Sequence, residues 1–358
     1  MDISTICVHG CDKRYDTTGA VAVPIFASAT FAHPGVGQST GFDYSRSQNP
    51  TCEYMEHTVA ALEGGTGAVA FSSGMAAVAA LMELWEPGDH IIASDDLYGG
   101  TYRLFAQISE KNGIRFSYVN TLEEIKGAIT PKTKAVFIET PTNPMMRVTD
   151  IAAAAEITRA RRLPLIVDNT FLTPYFQRPL LMGADIVLHS GTKYLGGHND
   201  TLAGVLVVKN DLFNERLRSI AKTTGACLSP FDAFLITRGI KTLAVRMERI
   251  QETAKTVAEW LRGKGGVEKV YYCGAGGMIS FSVSGEPTAR KILESVKIIQ
   301  YAESLGGVES LITYPMLQTH ADMPEAERLA RGIDARFLRL SVGLEAADDL
   351  TADLEQAF

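Results

Sequence analysis

Between about residues 66 and 208 the chain alternates short apolar runs with longer stretches of helical period. The apolar runs fall at 68–71, 90–94, 115–119, 135–139, 165–168, 186–189 and 204–208. Runs this short, rich in Val and Ile and apolar on both faces, predict buried parallel strands. Helical segments at 75–85, 102–112, 122–129 and 151–161 separate the first five of them. That alternation predicts an α/β domain with helices on both faces of a large, mostly parallel sheet. The last third is sparser. It predicts one long helix over 235–262, with Gly239 its only weak point, and strands at 267–272, 278–283, 298–301 and 337–342. Helices are expected at 287–293 and 347–358, so this part reads as a smaller α+β domain. The first 50 residues, with Pro24, Pro34 and several glycines, read as an extended arm. The expected organisation is therefore an arm at 1–50, an α/β domain at 51–240 and a C-terminal domain at 241–358.

Composition adds bounds. With 358 residues, 46% hydrophobic and 21% charged, the chain has the make-up of a globular protein of about two domains. The longest apolar candidate, 20–32, is interrupted by Pro24, Ser28 and Thr30, so no membrane span is expected. Asp2, Asp12, Lys13 and Arg14 argue against a secretory signal. A net charge of −7 argues against nucleic acid and anionic membranes as partners, without excluding a local basic pocket. Five cysteines without a CxxC pair fit a reduced, cytoplasmic chain. Neither they nor the seven histidines show zinc-ligand spacing, so no metal is expected.

Three segments carry chemistry. In Ala184-Asp-Ile-Val-Leu-His-Ser190-Gly-Thr192-Lys193-Tyr-Leu-Gly-Gly-His198 a buried strand runs into two hydroxyls, a lysine and a glycine pair. A lysine entering a site at a strand end is desolvated, which lowers its pKa and makes its amine available for a Schiff base. The same stretch also reads as a surface lysine in a glycine turn. In Leu163-Pro-Leu-Ile-Val-Asp168 an apolar strand ends in a carboxylate, 25 residues before Lys193. A carboxylate at the end of a parallel strand can pair with a protonated pyridine nitrogen; Asp-Asn-Thr is equally good helix-capping chemistry. In Phe71-Ser-Ser-Gly74-Met75 a strand opens into a helix whose first N–H groups make an anion site. A phosphate-binding helix start, an aspartate and a lysine, each at a strand end, are the parts a pyridoxal phosphate enzyme needs.

With these and further ordered motifs the sequence resembles the Cys/Met-metabolism, or trans-sulfuration, family of fold-type I pyridoxal phosphate enzymes. The motifs are Asp43-Tyr-Ser-Arg46, Asn49-Pro-Thr51, Asp96-Leu-Tyr-Gly-Gly-Thr-Tyr102, Glu139-Thr-Pro-Thr-Asn-Pro144, Ser304-Leu-Gly-Gly-Val-Glu-Ser-Leu311, Gln318-Thr-His320 and Arg339-Leu-Ser-Val-Gly343. The resemblance implies pyridoxal 5'-phosphate as cofactor. It makes Lys193 the Schiff-base lysine and proton shuttle, Asp168 the pyridinium partner and Tyr98 the ring-stacking aromatic. It gives Gly74, Met75, Ser190 and Thr192 to the phosphate. Tyr44 and Arg46 would reach the phosphate of a neighbouring subunit in a homotetramer, a dimer of dimers. Arg339, with Asn143 and Ser310, would bind the substrate α-carboxylate, and Glu309 is a specificity candidate.

Gly100 stands where family members that cleave methionine carry a cysteine, which argues against that activity. The segment before Gly276 is short, many relatives having about twenty more residues there. In this compact form the chain looks most like the bacterial cystathionine γ-synthase branch that also acts as O-acetylhomoserine thiolyase. The implied reaction is γ-replacement on an O-acylhomoserine by cysteine or sulfide. Cystathionine γ- or β-lyase is the alternative, and a fold-type I aminotransferase the more distant one. Cys52 stands where relatives often have Arg.

Overall fold

The structure, a computed structural model, describes residues 1–11, 18–321 and 323–358, so Asp12, Lys13 and Arg14 lie outside it. Its described residues form strands β1 (Gly67–Phe71), β2 (His90–Ser94), β3 (Arg115–Val119), β4 (Thr133–Glu139), β5 (Leu165–Asp168), β6 (Ile186–Ser190), β7 (Gly204–Val208), β8 (Val267–Tyr271), β9 (Met278–Val283), β10 (Gln300–Tyr301), β11 (Leu311–Thr313) and β12 (Phe337–Ser341). They divide between two compact units, one of Met1–Glu86 with Thr158–Ala244, the other of Pro87–Ile157 with Val245–Phe358.

In the first unit the strands lie in the order β1-β7-β6-β5. β5 and β6 are parallel, whereas β7 runs antiparallel to both β6 and β1. This corrects the expectation of parallel strands throughout. Residues 191–203 hold only turns, and a parallel return needs a crossover of a dozen or more residues that usually includes a helix. The helix Pro50–Glu63 starts where Asn49 Oδ1 accepts from the Thr51 amide at 3.0 Å, with Pro50 in the first turn. It ends at Gly64, whose φ of 76° is left-handed. The helix Gly74–Met82 is capped by Ser73 Oγ, which accepts from the Ala76 amide at 3.1 Å. The N-terminal arm is not wholly extended, because Ile3–His9 is helical and capped by Asp2.

In the second unit β4, β2 and β3 are neighbours in that order, and parallel. A separate five-stranded sheet has the order β10-β11-β12-β9-β8, antiparallel except for β10 with β11. Its inner face packs Phe281, Ile312, Leu338 and Leu340 against Leu261 and Leu354 of the covering helices. The long helix expected over 235–262 is two, Pro230–Ile240 and Leu243–Gly263. At the break the Thr242 amide and hydroxyl both donate to the Gly239 carbonyl, each at 3.2 Å, and the regular ladder stops. None of the described helices is long and apolar enough to cross a membrane.

Candidate active site

The register of the first unit aligns Phe71, Gly204 and Ser190 across β1, β7 and β6, while Asp168 pairs with Leu188 on β5. The carboxyl ends of β1, β5 and β6 therefore share one edge, where ligands bind in such sheets. A side chain on Gly204 would run into the Ser73 carbonyl and come within 2.9 Å of Ala77 Cβ, so only glycine lets the helix start lie on the sheet. That start is set beside Ser190, since a Cβ on Gly74 would stand 3.0 Å from Ser190 Oγ. The first N–H groups of the helix, Gly74 and Met75, have no intrahelical acceptor and point from a positive dipole end. Thr192 is differently engaged. Its hydroxyl donates to the Ala203 carbonyl at 3.3 Å and accepts from the Ala203 amide at 3.1 Å. Lys193 follows in a tight turn, its amide donating to the Ser190 carbonyl and its carbonyl accepting from Gly197 at 2.7 Å.

Asp168, at the end of β5, is fixed by Thr170, whose amide and hydroxyl both donate to Oδ1, at 3.0 and 2.6 Å. Thr170 Oγ1 in turn accepts from the Ser190 amide at 2.9 Å, which ties the carboxylate to the lysine turn. Burial pushes the Asp168 carboxyl above its ordinary range, while the Thr170 hydrogen bonds and neighbouring His189 pull it back. Behind it lies a buried polar network that sequence reasoning missed. Glu63 Oε1 accepts from His189 Nε2 at 2.7 Å and from Asn169 Nδ2 at 2.9 Å. Asn169 also donates to the Gln177 carbonyl at 2.8 Å and accepts from Gln177 Nε2 at 2.9 Å. The only sequence signals were Glu63 just before the glycine that ends its helix and His189 inside an otherwise apolar strand.

Tyr44 and Arg46 are both exposed, the guanidinium 5.4 Å from the tyrosine ring centroid and donating to the Lys222 carbonyl at 2.6 Å. Cys52 is buried and donates to the Leu228 carbonyl at 3.4 Å. Burial raises its thiol pKa far above the ordinary value, so it packs as an unreactive side chain.

In the second unit Arg339, on β12 between Thr313 and Ser280, is only 1% exposed. It donates to Asn143 Oδ1 at 2.8 Å, to the Ser304 carbonyl at 3.1 Å and to Thr313 Oγ1 at 3.3 Å. None of these acceptors is a carboxylate. Ser310 is not joined to that group: its hydroxyl donates to Glu345 at 2.8 Å and accepts from the Gly343 amide at 2.9 Å. Glu309 is exposed. Tyr98, also exposed, has its amide held by Glu139 Oε2 at 2.8 Å. The following Gly99 lies so close to the Thr319 carbonyl that no larger residue fits. His320, from the Gln-Thr-His motif, is buried with Nδ1 2.9 Å from Thr319 Oγ1 and Nε2 without a hydrogen-bond partner. Its pKa is pushed down to about 3 by burial and by the charges of Arg339 and Arg331.

Comparison with known proteins places these features in context. The model of the Cys/Met metabolism PLP-dependent enzyme family matches residues 4–358. The chain is 50% identical to cystathionine gamma-synthase of Haemophilus influenzae, over 99% of this chain and 97% of that one. It is 51% identical to cystathionine gamma-synthase/O-acetylhomoserine (thiol)-lyase of Bacillus subtilis, over 97% and 93%. The structure of cystathionine gamma-lyase from Lactobacillus plantarum complexed with L-serine superposes with a TM-score of 0.97, at 41% identity, covering 100% of this chain and 98% of that one. These likenesses bear out the fold class expected from the sequence.

Proposed function

The chain belongs to the Cys/Met metabolism PLP-dependent enzyme family, and from that premise we propose that it catalyses γ-replacement on an O-acyl-L-homoserine. L-cysteine or sulfide would be the nucleophile, and L-cystathionine or homocysteine the product. The observation that carries this reading is the identity of 50% and 51%, over nearly the whole chain, to relatives named cystathionine gamma-synthase.

The donor set of the first unit suits pyridoxal 5'-phosphate. Two amides at a helix start with the Ser190 hydroxyl beside them are what a phosphate needs. A carboxylate held through one oxygen by Thr170 is what a protonated ring nitrogen needs. Gly74, Met75, Ser190 and Thr192 would hold the phosphate, Asp168 the nitrogen and Tyr98 the ring face. Bound there, the cofactor supplies an electron sink for charge developing at the substrate's α- and β-carbons. Lys193 would take the α-proton and return it, alternating as base and acid. Arg339 would grip the α-carboxylate with its planar fork, held in place by Asn143. Ser310 would contribute through the loop it ties to Glu345, and Glu309 would read the rest of the substrate.

Loss of a β-proton would let the γ-acyloxy group leave as the free carboxylate; the incoming thiolate would then bond to the γ-carbon, and a proton would return to the β-carbon. A homotetramer would bring Tyr44 and Arg46 to a neighbouring subunit's phosphate, and sedimentation at several concentrations tests it. A second reading, cystathionine γ-lyase, is favoured by the likeness to the Lactobacillus plantarum enzyme. Both readings are tested by supplying the purified protein with O-acetylhomoserine and cysteine, O-succinylhomoserine and cysteine, O-acetylhomoserine and sulfide, or cystathionine alone. Cystathionine or homocysteine from the esters supports replacement. Cysteine and ammonia from cystathionine alone, with no replacement product, would move the reading to the lyase.

A further inference from the structure

Tyr98 opens a helix that has little of its own to hold it. The α-helical run Gly99–Leu104 is six residues long, begins with two glycines and has no side-chain cap, and at Phe105 it widens into a π turn. Glycine is a poor helix former, and a run this short depends on contacts from outside. The Tyr98 backbone is nonetheless fixed on both sides. Its amide donates to Glu139 Oε2 at 2.8 Å, and its carbonyl accepts from the Thr101 and Tyr102 amides at 2.9 and 3.1 Å. The outside contacts come from the segment after β11. Arg331, its side chain only 9% exposed, places Nη2 and Nε at 2.7 and 3.2 Å from Asp95 Oδ1. The same guanidinium lies 5.2 Å from the centroid of the Tyr102 ring, whose hydroxyl donates to Glu327 Oε2 at 2.8 Å. Between these two points the Thr319 carbonyl presses on Gly99. One arginine thus grips the chain three residues before Tyr98 and four residues after it.

We propose that Arg331 is a positioning residue for the reaction, setting where the Tyr98 ring stands against the cofactor. This rests on the reading of Tyr98 as the residue that covers the cofactor ring. A partly buried ion pair adds little net stability over apolar packing, because both charges lose water. What two donors of one planar group on a carboxylate oxygen do supply is a fixed distance and orientation. Asp95 anchors the chain where it leaves β2, and Tyr102 anchors the first helical turn. A shift of Tyr102 carries Tyr98 with it through the 3.1 Å bond between them. Without the guanidinium, Asp95 would be left to the longer 3.5 Å contact with Asn120 Nδ2, and the Tyr102 ring would lose the cation at its face. Stacking depends on the offset and separation of the rings, so such a shift weakens it.

The test uses Arg331→Met, which keeps the packing of the side chain and removes its donors. Arg331→Lys, which keeps the charge without the planar group, takes its place if the methionine variant does not fold. Tyr98→Leu is the reference for a lost stack. Each variant, and the Arg331 substitution in the Tyr98→Leu background, is titrated with pyridoxal 5'-phosphate to give a dissociation constant. The visible circular dichroism of the bound cofactor and the melting temperature are recorded alongside. Each single variant is expected to bind the cofactor about three- to tenfold more weakly, the range of one aromatic stacking contact, and to lose dichroism. In the Tyr98→Leu background the Arg331 substitution should add nothing to either loss. A merely structural role would lower the melting temperature and leave affinity and dichroism in place. That result in a folded Arg331 variant, with Tyr98→Leu impaired, overturns the proposal alone, and so does equal weakening in both backgrounds. Wild-type affinity and dichroism in Tyr98→Leu overturn the role of Tyr98, and the proposal with it.

Discussion

Each unit buries a histidine completely, and the two sit in opposite electrostatic surroundings. His189 in the first unit faces the Glu63 carboxylate at 2.7 Å. His320 in the second lies near the Arg339 and Arg331 guanidinium groups, which together with burial push its pKa down to about 3. A buried imidazole must be either paired or neutral. One is paired, the other neutral. The contrast extends to the sites around them. The first unit gathers a carboxylate, backbone donors and an amine-bearing turn, the equipment for an electron-poor ring. The second holds a buried guanidinium that donates to an amide oxygen, a backbone carbonyl and a hydroxyl.

The sharpest way to break this division is at Lys193. Lys193→Ala is expected to lower kcat by about 10³-fold, the scale of a lost acid–base group, and to change the visible absorbance of the loaded protein. Retention of both would take the chemistry away from the first unit.

Arg339→Lys comes next. It keeps the charge but not the fork, and should lower kcat/KM for the ester substrate by about 100-fold, or about 3 kcal/mol. Affinity for pyridoxal 5'-phosphate should not change. If the cofactor constant moves as far as it does in Asp168→Asn, the two units do not divide the work in this way.

The two sites also predict opposite pH slopes. His320 resists protonation in the folded chain, so the unfolded chain binds the extra proton below about pH 6.5, its ordinary value. Stability should therefore fall as pH drops from there toward 3, by up to about 1.4 kcal/mol per pH unit from this group. His320→Gln should flatten that part of the denaturation profile, and an unchanged slope would show that the ring is not held neutral.

The smallest effect is expected at Asp168. Its raised pKa means the folded chain keeps the proton longer than the unfolded one, so stability is lost as pH rises above the ordinary carboxylate range. In the cofactor-free protein at neutral pH, Asp168→Asn should be the more stable form, by on the order of 1 kcal/mol, in thermal melts. A less stable variant would mean that the carboxylate is already well compensated by its neighbours.

Much of this was legible in the residues. The strands at 90–94, 115–119, 165–168 and 204–208 have the bounds expected, because local apolar runs and turn residues mark them. Asp168, Lys193 and the Gly74 helix start were legible as well, since each marks the end of such a run. The direction of β7 was not, because apolar run length is the same in either sense. Nor was the break at Thr242, where a hydroxyl competes for one carbonyl. Glu63 and His189 are 126 residues apart, and no periodicity joins them. Ser310 lies in a motif that suggested a substrate contact, yet its hydroxyl is committed to Glu345 and Gly343.

The sequence by itself determined the alternation of strand and helix, the family and the chemical parts: an amine, a carboxylate, a phosphate-type helix start and an arginine. Only the tertiary structure decided which buried charges meet and which are kept apart. Pattern along a chain records local preference and burial. The sign of the field at a buried histidine depends on which distant side chain the fold brings against it.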